Sequence, residues 1–311
     1  MVRKIVSHIY DNNEDFTFAM KFLYDTFKRT NYYQNWFPDR FENSLGKVLV
    51  PLVDDIRIWE VIDEAIPIKR AIVAIANPEG SRQRSDYYIQ IDPAYSSLER
   101  EMLGWIEGHF RESKKDCISR EKLSIHTIEG NPTREALLIE LGYEAGEISG
   151  YLRLRPMGLP IPNSDCPKGF EIRSIRGRPD YDQLASAVRV VFGHGEWFNA
   201  EAYEVLTHHS FYKQDLDLVA VTPDGTFASF CTFRIDPISR ITSLEPMGTL
   251  PNYRRRGLAK ALIYEGLKRA MKYDPSLFYI GGAANTPAAN RLYDSTGFTI
   301  KYADHCWHKE I

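Results

Sequence analysis

The feature that most constrains this chain is an order of segments that occurs twice. Residues 156–167, PMGLPIPNSDCP, carry four prolines and no hydrophobic period, the composition of an extended linker or domain crossover. They divide the 311 residues into halves of about equal length. Each half opens with a short β-like run, at 3–9 and 170–175, and continues into helix-like sequence. Two strand-like runs joined by a turn follow, 70–76 and 86–91 in the first half, 227–235 and 241–250 in the second. Each second run leads into Pro-x-Tyr, at Pro93-Ala94-Tyr95 and Pro251-Asn252-Tyr253, and then into an amphipathic helix, 98–110 and 257–273. In the latter, Leu258, Leu262, Ile263, Gly266, Leu267, Ala270 and Met271 share one face at helical spacing. Both halves close with strand, Asn and Pro, helix, Gly-aromatic and strand, over 122–155 and 277–309. A duplication accounts for this order better than two unrelated α+β domains do. The expected organisation is a domain at 1–155, a Pro-rich linker at 156–168 and a domain at 169–311.

A hydrophobic fraction of 43% with 26% charged residues suits two soluble domains, each large enough to bury a core. The net charge of −3 gives no electrostatic footprint for nucleic acid, so no nucleic-acid partner is expected. The densest basic cluster, Arg254-Arg255-Arg256, suits one phosphorylated ligand instead. Cys117, Cys166, Cys231 and Cys306 are scattered and form no CxxC pair. Neither a disulfide framework nor a zinc site is expected, and reduced thiols point to a cytoplasmic protein. The start has no signal-like apolar core, and no run approaches the roughly 18 apolar residues that span a bilayer. No membrane association is expected.

The most informative stretch is Met247-Gly248-Thr249-Leu250-Pro251-Asn252-Tyr253-Arg254-Arg255-Arg256-Gly257-Leu258-Ala259. A strand ends in a turn carrying Arg-x-x-Gly-x-Ala, and a helix begins at once. The free N–H groups of a helix's first turn, with its dipole, make a pyrophosphate site. Gly257 and Ala259 keep side chains away from it, and the arginines add charge and donors. A P-loop or a dinucleotide-binding unit does not fit, because Gly-Lys-Ser/Thr and GxGxxG after a strand are missing.

This stretch resembles motif A of the GNAT acetyltransferases, Gln/Arg-x-x-Gly-x-Gly/Ala. Residues 285–298, NTPAANRLYDSTGF, resemble the same family's following motif, Asn-x-x-Ala-x-x-Leu-Tyr-x-x-x-Gly-Phe. The resemblance covers 169–311 well and the first half in outline, as in a tandem-GNAT protein. It implies an α+β fold of two GNAT-like domains, each a mixed, mostly antiparallel twisted sheet flanked by helices. It also implies acetyl-CoA as cosubstrate, with no metal. Met247, Gly248 and Thr249 would offer strand backbone to the acetyl and pantetheine arm. Arg254 and the backbone of Arg255, Arg256, Gly257, Leu258, Ala259 and Lys260 would hold the pyrophosphate. Asn285 and Asn290 would complete the cofactor site.

Acetyl transfer to an amine needs a neutral amine, a stabilised oxyanion and a proton for the thiolate. An alkyl amine titrates near ~10.4, so something must remove its proton first. Tyr293 stands where the family commonly places the tyrosine that protonates the thiolate; the rival reading is a core tyrosine. Glu245, two residues before Met247 on a strand without another acid, is the expected base. Its rival reading is a partly solvated pair with an arginine. His194, Glu196 and Trp197, in GHGEWF, fall where the family roofs the acceptor site. His194 is the alternative base, and His305 and His308 receive no role. In the first half, Ser96, Glu99 and Glu101 align with Arg254, Gly257 and Ala259, Tyr87 with Glu245, and Leu138 with Tyr293. That half therefore reads as disarmed. The expected reaction is direct acetyl transfer to a primary amine of a small molecule. Transfer to a peptide or protein amine and a non-catalytic acyl-CoA sensor are the alternatives. The sequence carries no signal for the oligomeric state.

Overall fold

A computed structural model describes residues 3–45, 53–63, 69–79, 86–114, 122–163 and 165–311. Cys117 and the tip of the turn after Glu79 lie outside the described residues. The chain forms two compact units, Met1–Ser149 with Ala303–Ile311, and Gly150–Tyr302.

In the first unit the strands are β1 (Arg3–Ile9), β2 (Arg57–Asp63), β3 (Lys69–Pro78), β4 (Asp86–Ile91) and β5 (Lys122–Ile128). The helices are α1 (Asn12–Thr30), α2 (Pro38–Leu45), α3 (Glu99–Lys114) and α4 (Pro132–Glu140). The chain continues through β6 (Glu144–Arg155) into the second unit, which holds β7 (Glu171–Ser174), α5 (Arg178–Phe192) and α6 (Ala200–Thr207). Then come β8 (Asp217–Val221), β9 (Phe227–Ile235), β10 (Ile241–Thr249), α7 (Leu258–Ala270), β11 (Leu277–Ala284), α8 (Pro287–Ser295) and β12 (Ile300–Glu310).

The first unit's sheet runs β1-β2-β3-β4-β5-β12, antiparallel except at β4/β5. The second runs β7-β8-β9-β10-β11-β6, antiparallel except at β10/β11. The two sheets thus repeat one plan, with a difference at the end. The sixth place in the first is filled by β12 and in the second by residues 150–155 of β6. The contact boundaries therefore fall at 149/150 and 302/303, not around the Pro-rich segment. That segment is tied to the second unit. The Arg155 guanidinium donates to the carbonyls of Leu159 (3.0 Å) and Pro160 (2.8 Å), and Lys268 Nζ donates to Asn163 Oδ1 (3.0 Å).

All nine residues of β9 are buried, which a strand needs when helices cover both faces. Phe227 and Phe230 pack with Leu184, Val188 and Tyr203 of α5 and α6. Cys231, Phe233 and Ile235 pack with Leu258, Leu262 and Leu267 of α7. At Gly266 a Cβ would lie 2.2 Å from Phe233 Cε2, so glycine lets α7 sit close on β9. Met271, expected on the same face, follows the helix and is 46% exposed.

Candidate functional site

The site begins where β10 leaves β11. The two pair in parallel only from Ile241↔Leu277 to Ser243↔Tyr279, and the pairing of β10 with β9 shifts between Leu244 and Met247. Glu245 occupies that irregularity. Beyond it, Met247, Gly248 and Thr249 keep partners on β9 while the side toward β11 is released from the ladder. Released strand edges carry N–H and C=O groups that a ligand can use. A Cβ at Gly248 would lie 2.4 Å from Phe230 Cζ and 2.9 Å from Val191 Cγ1, so only glycine fits. Ser229 Oγ donates to the Gly248 carbonyl (2.7 Å) and lies 2.8 Å from Thr249 Oγ1, fixing this end of the strand.

After the single turn Pro251–Tyr253, Arg255 (φ 61°) and Gly257 (φ 82°) take left-handed conformations. Gly257 is the N-cap of α7, and no side chain caps it. Glycine is called for here by its φ. A Cβ would have room, its nearest neighbour being Pro167 Cγ at 3.7 Å. The result is an open helix N-terminus ringed by the exposed Arg254, Arg255, Arg256 and Lys260. Arg254 Nε donates to the Thr249 carbonyl (3.1 Å), and the Arg256 guanidinium lies over the Tyr253 ring (5.6 Å). Leu258 is buried in the core and Ala259 partly so, which leaves the backbone of both to face a ligand.

Across the parted strands stands α8, capped by the Thr286 side chain (3.2 Å to the Ala289 N–H). Arg153 of β6, fully buried, anchors it. Its guanidinium donates to Asn290 Oδ1 (2.5 Å), Asp294 Oδ1 (2.7 Å) and the Phe298 carbonyl (2.9 Å), and stacks 5.8 Å from the Tyr293 ring. Asn290 in turn donates to Asn285 Oδ1 (3.3 Å). Asn290 is thus held in a bonded chain, while Asn285 is exposed. Arg153 is the residue that sequence reasoning missed. Its only signal is a positive charge inside the apolar alternation Tyr151-Leu152-Arg153-Leu154-Arg155.

Tyr293 is 9% exposed and packs edge-on against Phe298, yet its hydroxyl has no hydrogen-bond partner among the described residues. Burial pushes it up to about 12; Cys231 and Glu245 add to the rise and Arg153 opposes it. The Glu245 side chain is 40% exposed, with Arg234 Nη1 at 3.8 Å. Arg234 is buried, that nitrogen makes no hydrogen bond, and its guanidinium lies over Phe211. The arginine partner weighed for Glu245 is therefore present, as a long and half-solvated pair. Behind it, buried Asp217 accepts from Tyr203, Tyr212 (2.9 Å) and Thr232 (2.8 Å). Burial holds Asp217 above the usual carboxylate range against those bonds.

In the loop between α5 and α6, His194 packs against Phe192 (5.8 Å), Trp197 (5.4 Å) and Phe198 (5.5 Å). Phe192 also meets Phe230 (6.1 Å), the ring that crowds Gly248. His194 and Trp197 are thereby linked to the strand end that carries Gly248. Glu196 is not; it is 91% exposed, 3.5 Å from Arg189.

The corresponding region of the first unit is built differently. Pro93–Leu98 winds directly into α3. Glu99 is buried in a two-bond pair with Arg134 of α4 (2.8 and 3.2 Å), and Glu101 accepts from Trp59 Nε1 (2.8 Å). Tyr87 and Leu138 are core residues. No helix among the described residues is long and apolar enough to cross a membrane.

Residues 189–298 match the model of the acetyltransferase (GNAT) family. No curated protein matches the sequence. Among solved structures, a GCN5-related N-acetyltransferase from Sphaerobacter thermophilus superposes with a TM-score of 0.70 at 16% identity, over 98% of this chain and 95% of that one. A tandem GNAT protein from the clavulanic acid biosynthesis pathway gives 0.66 at 14% identity, over 99% and 98%. A GNAT-family acetyltransferase from Colwellia psychrerythraea gives 0.62 at 12%, over 99% and 100%. At these identities the likeness establishes a shared fold, two GNAT-like domains in tandem.

Proposed function

From a GNAT-family domain at residues 189–298 in a tandem fold, we propose that the protein transfers an acetyl group directly from acetyl-CoA to a primary amine of a small-molecule acceptor. The observation that carries this reading is the uncapped N-terminus of α7, ringed by arginines, beside the point where β10 and β11 part. The pyrophosphate binds the first-turn N–H groups of α7, with Arg254, Arg255, Arg256 and Lys260 supplying charge. The pantetheine arm runs along Met247, Gly248 and Thr249, which places the thioester near Glu245 and Tyr293. His194 and Trp197 border the acceptor.

In the reaction the neutral amine attacks the thioester carbonyl. Backbone N–H groups at the released edge of β10 hold the oxyanion, and the C–S bond breaks. Glu245, directly or through water, takes the proton the amine must lose. The Tyr293 hydroxyl faces the departing sulfur. A tyrosine near 12 facing a thiol near ~8.5 transfers its proton uphill, so it acts chiefly as a hydrogen-bond donor. Nothing in these steps calls for a metal. The free thiols Cys166, Cys231 and Cys306 suit a cytoplasmic setting.

The test is calorimetry with acetyl-CoA. The full chain should saturate at one equivalent, because Glu99 and Arg134 close the first unit's equivalent site. Gly257→Glu should abolish binding through its left-handed φ and added negative charge. Unchanged affinity in a folded variant removes the site from α7. An amine-library screen that detects released CoA thiol then identifies the acceptor.

A further inference from the structure

We infer that the first unit carries a site for a zinc-class divalent cation, formed by Asp86, His126 and Cys306. No sequence spacing announces it, because the ligands come from three strands, β4, β5 and β12. The registers bring them together. Asp86 pairs with Ser124, two residues from His126, and Cys306 stands opposite His126. One ligand atom from each lies within 4.8 Å of the others. His126 Nε2 is 3.6 Å from Asp86 Oδ1 and 3.7 Å from Cys306 Sγ. Donors around tetrahedral zinc, with bonds of ~2.0–2.3 Å, stand about 3.4–3.6 Å apart. The two spacings from His126 need adjustment of only a few tenths of an ångström, and Asp86 and Cys306 stand within 4.8 Å of each other.

A second observation points the same way. The other nitrogen of His126, Nδ1, lies 3.1 Å from Asp304 Oδ1, and Asp304 is buried. A carboxylate on the far nitrogen fixes the tautomer that presents Nε2 as a ligand, an arrangement general to metal-bound histidines. The imidazole is also stacked on Tyr88 (4.7 Å, 15°), so its plane is set. A thiolate, an imidazole and a carboxylate together favour a borderline ion over magnesium or calcium, which take oxygen. Asp86, with its side chain 33% exposed, leaves a way in and a fourth position for water. His308 Nδ1, 3.8 Å from Sγ and 3.2 Å from Ser124 Oγ, flanks the thiol. The exchange balances. With Nε2 bare in the tautomer that Asp304 selects, the thiol proton alone leaves as the ion enters, and the local charge rises by one.

The test uses the full chain, stripped with chelator and titrated with Co²⁺ alone, followed by thiolate-to-cobalt charge-transfer absorption. One equivalent should bind and be displaced by Zn²⁺. Cys306→Ser should lose the charge-transfer band, and Cys166→Ser should keep it. Asp304→Asn should weaken binding 10–100-fold, and Asp86→Asn should weaken it with an unaltered circular dichroism spectrum. A wild-type chain without the band, or a band that survives Cys306→Ser or is indifferent to both Asp86→Asn and Asp304→Asn, overturns the site. The cluster is then an ion-pair network centred on His126.

Discussion

At the scale of single residues, the environment of Tyr293 decides what its hydroxyl can do. Held up to about 12 by burial, it stays protonated throughout any practical assay range. Tyr293→Phe, which removes one hydrogen-bond donor to the developing thiolate charge, should lower turnover by ~10²–10³-fold with acetyl-CoA affinity nearly unchanged. Because its pKa lies above the ordinary ~10, it contributes no alkaline limb below that pH. The variant's kcat profile should therefore parallel the wild type's. Full activity in the variant would return Tyr293 to core packing against Phe298. Glu245 makes the opposite kind of prediction. Glu245→Gln should keep cofactor binding and lose most activity near pH 7, recovering partly as the acceptor's own amine deprotonates. Measuring kcat/KM against pH for both proteins decides it. Parallel curves with lower thermal stability would leave Glu245 as the partner of Arg234 and shift attention to His194. Spaced motifs single out Tyr293 and the arginines of the α7 turn as candidates, and Glu245 stands out as the lone acid of its strand run. Arg153 was not legible in this way, since its role lies in three partners contributed by α8 and the segment after it.

At the scale of elements, close approach explains more than propensity. Gly248→Ala should cost ~1–3 kcal/mol by chemical denaturation, the usual range for overpacking, because Phe230 and Val191 already fill the space a Cβ needs. Wild-type stability in that variant would mean that the rings yield without cost. The amphipathic helices and the strands flanking clear turns could be read from sequence. β2 and β8 could not, although each completes its sheet. All five residues of β8 are buried, so it lacks the alternation that marks a half-exposed strand. The turn before α7 was readable because its glycine and arginines sit at fixed distances from a strand end.

At the scale of the whole molecule, the duplicated order predicted two similar domains, and the second unit's irregular β10 has no counterpart in the paired register of β4 with β3. The exchange of sixth strands was invisible for a simple reason. β6 and β12 are equivalent, so each half reads as complete in itself. Removing residues 303–311 should therefore expose the β5 edge and destabilise the first unit, which precedes it in sequence. Hydrogen exchange should show lost protection in β5 and β4 before α7. Uniform loss, or loss confined to the second unit, would contradict the assignment of the last strand. The exchange also bears on how the protein is made. Asp304 reaches His126 across 178 positions, a stretch a ribosome synthesises in roughly 10–35 s at ~5–20 residues per second. For that interval the β5 edge of the first unit lacks the partner that β12 supplies, the kind of edge at which chains aggregate. The first unit's folding is thus scheduled by residues 303–311, which follow the whole second unit, so expression yield should respond to translation speed across that unit.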